Sequence, residues 1–447
     1  MDDGLNALLF ASPQMREIFC VERQLRCMLQ FEWALMAALE SHGLAEEGSA
    51  AAVAALVDGG FVDREVLRQE AVAAGNVVIP LLRQLQQQLS STPAARALHL
   101  GATSQDVLDT ALVLQLREAV AVLQDTARKL EMALTRKVAT HARTLLSGRT
   151  WLQGAPPTTL GLKLAGTLVA LRRHRARLQA AAQGALVLQF GGAVGTLSVL
   201  GEHAAGVEAD LAQHLQLPVA ELPWHTQRDG LVELAATLGV LLGSLGKLAR
   251  DLALLMQTEV AEVAEAKQAG KGGSSTMPHK QNPVGCAAVL AAATRAPGLV
   301  ATMLAAMPQE HERGLGNWQA EWETLPELCS LAGMALQRSL EVVEGLQVNA
   351  ARMRENLDAS LGRNMAEAVS AALAARLDRV TAHELVRRAT AMSQLRGTPL
   401  GEVLQQMPEV TAHLDAEQIH RLLDPENYLG STARFLARVL GENDADA

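Results

Sequence analysis

The feature that most constrains this chain is the long stretch from Thr103 to Ser147, which contains neither glycine nor proline. Apolar residues recur in it at steps of three and four, which is the period of an α-helix. At a rise of about 1.5 Å per residue, such a helix would be roughly 60 Å long. Helices of this length are typical of bundles and oligomer cores rather than of one small globular domain.

Further helices are predicted on both sides of this stretch. Arg23–Gly43 is amphipathic and ends at a glycine, and apolar periodicity predicts later helices at about 160–183, 230–268, 284–306 and 326–357. No sustained strand alternation is present. Only 3% of the residues are aromatic, so Ala and Leu must fill the cores, which favours packing of helix on helix. The sequence therefore predicts an all-α fold with three domains, at 1–102, 103–357 and 358–447.

Charge and composition narrow the classes of partner. The net charge is −9 and no long basic run occurs, which argues against nucleic acid and anionic membranes as partners. The N-terminus is acidic where a signal peptide is basic, and no uninterrupted apolar run reaches the roughly 18 residues of a membrane span. We therefore expect a soluble, cytoplasmic protein. The four cysteines lack metal-ligand spacing and no dinucleotide or P-loop fingerprint occurs, so no metal or cofactor is predicted.

A loop rich in reactive side chains separates two of the predicted helices. The stretch Ala269–Pro283 contains three glycines, two serines, a histidine and two lysines. The glycines free the backbone at one end, while Asn282 and Pro283 fit the N-cap and first residue of the next helix. A loose end, an anchored end and nucleophile-type side chains predict a catalytic lid. A surface linker that ends in a helix cap is the alternative that composition leaves open.

Four other loops carry unusual side chains at the ends of the predicted helices. In the first, Thr103-x-x-Asp106 fits a capping box at the start of the long helix, which alone would explain it. Free N–H groups at a helix start also bind carboxylates, and the hydroxyls of Thr103 and Ser104 lie beside them. His99, four residues upstream, is a further candidate donor.

The second and third loops also offer groups that bind anions. Pro223–Asp229 contains His225 and Arg228, which suit an anion site unless Arg228 pairs with Asp229 on the surface. Gly148–Gly161 has more donors than a connector between helices needs. Its candidates are Arg149, Thr150, Trp151 and Gln153.

The fourth loop, Met307–Arg313, is dense in charge. On composition alone it is a solvated charge cluster. Alternatively, Glu310 or Arg313 supports a site at the end of the bundle, where loops from several helices converge.

The loop after the glycines carries a specific resemblance. Gly273-Ser-Ser-Thr-Met-Pro-His-Lys-Gln-Asn-Pro283 resembles the signature of the fumarase/aspartase superfamily, and Thr103–Asp106, Gly148–Thr150 and Gln153 extend the likeness over nearly the whole chain. The resemblance implies a three-domain, all-α subunit with a central long-helix bundle. It also implies a homotetramer in which loops of three subunits build each active site, without a cofactor.

Within the superfamily, the chain is most similar to the lactone-forming cycloisomerase branch, whose substrate is a carboxylated muconate. This likeness implies an intramolecular lyase that acts on a small tricarboxylate. The passages that carry it are Gly148–Gln153, Leu188–Gly192, Pro223–Asp229 and Ala306–Arg313.

The resemblance also implies roles for individual residues. Lyases of this superfamily form a carbanion delocalised into a carboxylate, which cations and hydrogen-bond donors must stabilise. Ser274 is the implied proton-transfer residue, Lys280 would stabilise the carboxylate, and Asn282 would supply a hydrogen bond or hold the lid. Candidates for binding the substrate are His99, Thr103, Ser104, Arg149, Thr150, Trp151, Gln153, His225, Arg228, Ser275 and Arg313.

One departure from the superfamily pattern indicates the reaction. Amine- and water-eliminating relatives usually have Thr-His where this chain has Thr150-Trp151, and that histidine helps to protonate the leaving group. A carboxylate, with a pKa near about 4, leaves or adds without such an acid. Trp151 therefore favours lactonisation over an amine lyase such as adenylosuccinate lyase. The other alternative is a non-catalytic scaffold, although the intact signature loop argues against it.

Overall fold

Helices dominate the computed structural model, which describes residues 9–267, 272–273, 277 and 280–441. The fold is all-α, as predicted. The first nine helices are α1 Pro13–Ile18, α2 Val21–Ser41, α3 Ser49–Ala54, α4 Arg64–Ala74, α5 Val78–Gln88, α6 Ser104–Thr140, α7 Leu160–Ala185, α8 Ala204–Leu215 and α9 Asp229–Leu255. The remaining helices are α10 Val284–Ala305, α11 Asn317–Glu344, α12 Ala350–Asp358, α13 Ala366–Ala374, α14 Arg379–Arg396, α15 Leu400–Gln405, α16 Pro408–Thr411, α17 Ala416–Leu423 and α18 Thr432–Leu440. The strands are β1 Leu145–Thr150, β2 Gln153–Thr159, β3 Val263–Ala264 and β4 Gln347–Val348.

The predicted long helix is α6, which has 37 residues and a length of about 55 Å. The prediction that it continues to Ser147 is wrong, because the chain leaves the helix after Thr140 and forms β1. No local stop signal marks this end. Instead, the N–H of Gly161 donates to the carbonyl of His141 at 2.9 Å, and the N–H of Leu160 donates to Thr144. A later segment of the chain thus binds two carbonyl groups just beyond the end of the helix.

Strands β1 and β2 form an antiparallel hairpin that the sequence analysis did not predict. Thr150 pairs with Gln153, so only Trp151 and Leu152 make the turn. Both residues have positive φ, at 53° and 62°, as a two-residue turn of this type requires. Such turns usually contain Asn and Gly, so the Trp-Leu pair gave no hairpin signal.

Two other predicted helices are shorter than expected. The helix predicted at 230–268 is α9, which ends at Leu255. The helix predicted at 326–357 is divided between α11, which begins at Asn317, and α12. Strand β4 separates these two helices and pairs with β3, with Val263 opposite Val348. A short strand pair therefore replaces helix at both places.

The chain forms two compact units. Unit 1 comprises Met1–Arg128, Arg173–Leu245 and Ala288–Gln337, and unit 2 comprises Lys129–Arg172, Gly246–Ala287 and Arg338–Ala447. The core of unit 1 is built largely from α2, α5, the start of α6 and α8. The C-terminal helices of unit 2 enclose a separate apolar cluster that runs from Val369 to Ile419. The three domain boundaries inferred from sequence stay a prediction.

Two helices, α9 and α10, are long and apolar enough to cross a membrane, judged by length and composition alone. Charged residues interrupt both of them, so neither is an uninterrupted apolar run. The most apolar part of α9 is 61% buried, as expected for a core helix, whereas that of α10 is only 28% buried. Much of the apolar surface of α10 is therefore uncovered in the single chain.

Candidate active site

The candidate site in unit 1 is organised around Asp106, in the first turn of α6. The backbone N–H of Thr103 donates to Oδ2 of Asp106 at 3.0 Å, which is half of the predicted capping box. The hydroxyl of Thr103 does not complete the box but accepts a hydrogen bond from Arg313. Ser104, the first residue of α6, is partly exposed beside it.

The Asp106 carboxylate also holds two distant loops against this helix start. It accepts hydrogen bonds from the side chain of Gln189, from the backbone N–H groups of Gly191 and Gly192, and from Nε2 of His225. The distances lie between 2.7 and 3.1 Å. Asp106 is fully buried, so five donors compensate the desolvation of its charge.

The Gly191–Gly192 segment can come this close to Asp106 only because both residues lack a side chain. Gly192 has a φ of +68°, and a Cβ there would lie 2.7 Å from the carbonyl oxygen of Gly101. A Cβ on Gly191 would lie 2.7 Å from the side chain of Pro223. Two glycines therefore let consecutive N–H groups reach one carboxylate.

Arg313 ties the charged loop 307–313 to the same helix start. Its guanidinium donates to the Thr103 hydroxyl at 3.0 Å and to Oε1 of Gln105 at 3.1 Å. It also donates to the carbonyl oxygens of Gly192 and Ala193. In the described part of the chain, Arg313 forms no direct ion pair with a carboxylate.

Arg228, on the same loop as His225, is almost fully buried, at 2% exposure. Its guanidinium pairs with Asp109 at 2.7 Å and with Glu321 at 3.0 Å. Burial would lower the pKa of Arg228, but the two carboxylates more than offset it and raise that pKa. Burial raises the pKa of Glu321. The alternative of a surface pair between Arg228 and Asp229 is therefore wrong, because the guanidinium is inside the protein.

His225 is likewise buried, at 4% exposure. Its Nε2 donates to Asp106, and its carbonyl oxygen accepts from the side chain of Gln105 at 2.8 Å. Direct contact of His225 or Arg228 with a substrate stays a prediction. Their contacts favour a supporting role, since each uses its polar atoms on buried carboxylates.

His99 is more open than these two residues. Its Nδ1 lies 2.6 Å from Oε1 of Glu32, which is buried in α2. Burial would lower the pKa of His99, but the charge and hydrogen bond of Glu32, together with the charge of Asp106, raise it. Unit 1 thus brings together six predicted residues, which are His99, Thr103, Ser104, His225, Arg228 and Arg313.

Unit 2 positions the predicted residues of the hairpin. Arg149, at the end of β1, forms a bidentate salt bridge with Glu262. The two guanidinium nitrogens lie 2.5 and 3.0 Å from the carboxylate oxygens. Glu262 is fully buried and accepts a further hydrogen bond from Asn356. The tip beyond this anchor is open to solvent, and Trp151 is 98% exposed. Thr150 and Gln153 flank the tip and are exposed as well.

The signature loop is described only in part, and Ser274 and Ser275 lie outside the described residues. Lys280 is exposed, and no described residue pairs with its ammonium group. The backbone N–H of Asn282 donates to the carbonyl of Gly272 at 2.9 Å, and its side chain donates to Gly273 at 3.4 Å. Asn282 thus ties the end of the loop to its glycine-rich part.

The N-terminus of α10 corrects one prediction about this loop. The helix begins at Val284, and the Asn282 side chain does not cap it. The N–H groups of Gly285 and Cys286 instead donate to the carboxylate of Glu265, at 3.1 and 2.9 Å. A buried glutamate from about twenty residues earlier therefore replaces the local cap, and its charge suits the helix dipole.

Sequence reasoning missed the carboxylates that hold the predicted donors. A signal for some of them was present, because Glu32 lies on the apolar stripe of an amphipathic helix, between Leu29 and Met36. An ionisable residue in such a stripe is buried, and buried charges need partners. The missed residues are Glu32, Asp109, Glu262, Glu265 and Glu321, whereas Asp106 was predicted only as part of a capping box. Among the described residues, no three His, Cys, Asp or Glu side chains are grouped to hold a metal ion.

The chain resembles known lyases along almost its whole length. Residues 10–298 match the Lyase family, and residues 362–439 match the family Adenylosuccinate lyase C-terminus. A 3-carboxy-cis,cis-muconate cycloisomerase of Pseudomonas aeruginosa is 50% identical over 98% of this chain and 96% of its own.

Solved structures agree with these matches. The crystal structure of 3-carboxy-cis,cis-muconate lactonizing enzyme from Pseudomonas putida has a TM-score of 0.92 and 49% identity, and covers 98% of both chains. That of a fumarate lyase from Mesorhizobium has a TM-score of 0.89 and 38% identity, and covers 97% of this chain and 99% of its own. The predicted resemblance is confirmed, and α9 and α10 are helices of a soluble protein. The chain therefore belongs to the lyase family of the fumarase/aspartase superfamily, together with the 3-carboxy-cis,cis-muconate cycloisomerases.

Proposed function

We propose that this chain is a 3-carboxy-cis,cis-muconate cycloisomerase, which closes its substrate to 4-carboxymuconolactone during protocatechuate breakdown. The observation that carries the proposal is the 50% identity with a cycloisomerase of that name over nearly the full length of both chains. The reaction is an internal addition. A substrate carboxylate oxygen bonds to an alkene carbon, the negative charge moves into a second carboxylate, and a proton is added to the carbon beside it.

Trp151 supports this reaction on chemical grounds. Expulsion of an amine needs an acid, and this position carries an indole that is no acid in water. The carboxylate that adds or leaves during lactonisation is already a weak base, so it needs none. An amine lyase would require another acid in place of the missing histidine.

The proton-transfer roles fall to the signature loop. Ser274 delivers the proton to the carbon, and Lys280 stabilises the carboxylate that receives the charge. The unpaired ammonium of Lys280 supports this role, because no described side chain competes for it. Asn282 holds the loop end in place through its contacts with Gly272 and Gly273.

We assign substrate binding to residues around the start of α6 and to residues of the hairpin. A tricarboxylate needs several donors, and Arg313 and His99 offer them beside the start of α6, where the hydroxyls of Thr103 and Ser104 also lie. From the hairpin, Arg149, Thr150, Trp151 and Gln153 contribute, with Ser275 next to the catalytic serine. His225 and Arg228 do not bind the substrate themselves in this proposal. They hold Asp106 and Asp109, and thereby the start of α6, in place.

The chain acts as a homotetramer in the cytoplasm, with each site shared between subunits. Two exposed features support this assembly. The apolar part of α10 is only 28% buried in the single chain, and an uncovered apolar helix is typical of a subunit interface. Trp151 is 98% exposed on a strained turn, which suits a side chain that contacts another subunit.

The proposed reaction is tested with the purified protein and 3-carboxy-cis,cis-muconate, by following loss of the absorbance of the conjugated diene. We expect rapid loss and formation of the lactone. Adenylosuccinate serves as the comparison substrate and should release no fumarate. Fumarate release from adenylosuccinate with no change in the muconate would overturn the proposal. Size-exclusion chromatography with light scattering tests the assembly, for which a mass near four times 47.5 kDa is expected.

A further inference from the structure

Glu32 is a buried carboxylate that the proposed reaction does not yet use. It lies in α2 with 1% exposure, and Leu29 and Met36 flank it on the core-facing stripe. Oε1 accepts from His99 at 2.6 Å, whereas Oε2 is buried and has no hydrogen-bond partner among the described residues. A carboxylate with an unsatisfied oxygen destabilises a core, and an apolar residue of similar volume would often serve stability better. The residue is therefore poorly explained by stability alone.

Glu32 differs in this respect from Asp106, which binds the buried His225 in unit 1. Asp106 accepts five hydrogen bonds and joins two loops to a helix start. In the described part of the chain, the Glu32 carboxylate forms its hydrogen bond with His99 alone. Its histidine is the more open one, because the side chain of His99 is 20% exposed and that of His225 only 5%. Glu32 thus serves a histidine that solvent and ligands can reach.

The backbone of His99 has an uncommon conformation. Its φ is 61°, in the left-handed region where residues other than glycine are uncommon. The carbonyl of His99 accepts from the N–H of Ala102 at 3.3 Å, which closes a turn just before Thr103. With Nδ1 bound to Glu32, the imidazole has one nitrogen left, and no described residue occupies its Nε2. That nitrogen is free to meet a ligand.

We propose that Glu32 is a positioning residue that fixes His99 with its Nε2–H directed at a carboxylate of the substrate. The proposal rests on the proposed function, since it assigns His99 a carboxylate ligand. The Glu32 carboxylate accepts from Nδ1–H and fixes the orientation of the ring, so the protonated imidazole presents its second N–H, at Nε2, to the ligand. The raised pKa of His99, to which Glu32 and Asp106 contribute against the effect of burial, agrees with a cationic donor beside an anionic substrate.

The test compares Glu32→Gln and Glu32→Met with the wild-type enzyme in turnover of 3-carboxy-cis,cis-muconate. Glutamine keeps the shape without the charge, and methionine fills the core without either oxygen. We expect KM to rise about 10- to 100-fold, as for loss of a hydrogen bond to a charged group, with a smaller change in kcat. Glu47→Gln makes the same change at an exposed glutamate, so this matched control should behave as wild type.

The decisive readout is a double-mutant cycle with His99→Gln. If Glu32 acts through His99, the double variant should bind substrate no more weakly than His99→Gln alone. Additive effects, or wild-type KM in both Glu32 variants, would overturn the proposal. So would severe destabilisation of both variants in urea, because that result assigns Glu32 to structure. Wild-type enzyme without activity on the muconate would instead refute the proposed function, so the two failures are distinguishable.

Discussion

Oδ1 of Asp106 accepts a hydrogen bond from Nε2 of His225 at 2.7 Å, and the two residues are 119 positions apart in the chain. Both side chains are buried, and His225 lies on the loop that also carries Arg228. Because the same carboxylate binds Gly191 and Gly192, it sets the positions of three segments at the start of α6. The arrangement of the segments at this helix start therefore depends on one buried charge.

Asp106→Asn tests that dependence. An amide presents N–H donors where the carboxylate accepted them, so several of the five donors lose their partner. We expect the free energy of unfolding to fall by about 3 kcal/mol, the order found when a buried charge network is broken, and activity to fall more than tenfold. Urea denaturation and turnover measure the two effects. Asp58→Asn is the control, because its exposed carboxylate accepts a hydrogen bond from Gly60 that an amide oxygen can also accept.

Ser274→Ala tests the proton donor. A positioned proton donor contributes roughly 10²- to 10⁴-fold to a rate, so kcat should fall by this order while thermal unfolding stays unchanged. Ser275→Ala, its neighbour, should raise KM more than it lowers kcat. Ser90→Ala makes the same change at an exposed serine and is the control, because it should leave both turnover and unfolding unchanged. Near-normal turnover by Ser274→Ala would reject its assignment.

Replacement of Trp151-Leu152 by Asn-Gly tests whether the hairpin tip is kept for function. Both native residues have positive φ, and such a conformation costs about 1 kcal/mol or more for a bulky residue. Asn-Gly suits this turn, so thermal stability should rise while lactonisation falls. A variant as active as wild type would remove Trp151 from the site.

Glu265→Gln tests the cap of α10. The uncharged amide loses the interaction with the helix dipole and weakens the hydrogen bonds from Gly285 and Cys286. We expect a loss of about 1 kcal/mol in stability and lower activity, because the signature loop ends at this helix. The exposed Glu259→Gln, six residues away, should change neither. Equal stability of the two variants would contradict the capping role.

The pKa of His99 predicts how stability changes with pH. Its folded pKa lies above the unfolded value of 6.5, so its contribution is complete below pH 6.5 and is lost as pH rises through the folded pKa. His99→Gln should therefore destabilise the protein more at pH 6 than at pH 9. Urea denaturation of the wild type and of His99→Gln between pH 6 and pH 9 measures the difference in their free energies of unfolding. The other titrating groups contribute equally to both proteins and cancel. A difference that is constant with pH would show that His99 titrates alike in both states.

Much of this protein is determined by local patterns in its sequence. Apolar residues at helical spacing predicted the start of α6 and the bounds of α7 and α10 closely, because burial of one helix face is recorded in the order of the residues. The signature loop and the pair Thr150-Trp151 indicated the superfamily and its lactone-forming branch, because that chemistry depends on a few residues at fixed spacing.

Only the tertiary structure showed which hydrogen-bond and ion-pair partners these residues have. Just beyond the end of α6, the carbonyl of His141 accepts from the N–H of Gly161, and α10 is capped by Glu265 rather than by its own Asn282. Arg228, expected to face an anion, is enclosed by two carboxylates of the protein itself. Periodicity records that a position is buried. It does not record which distant group will satisfy its charge, because that partner is brought there only by packing of the whole chain.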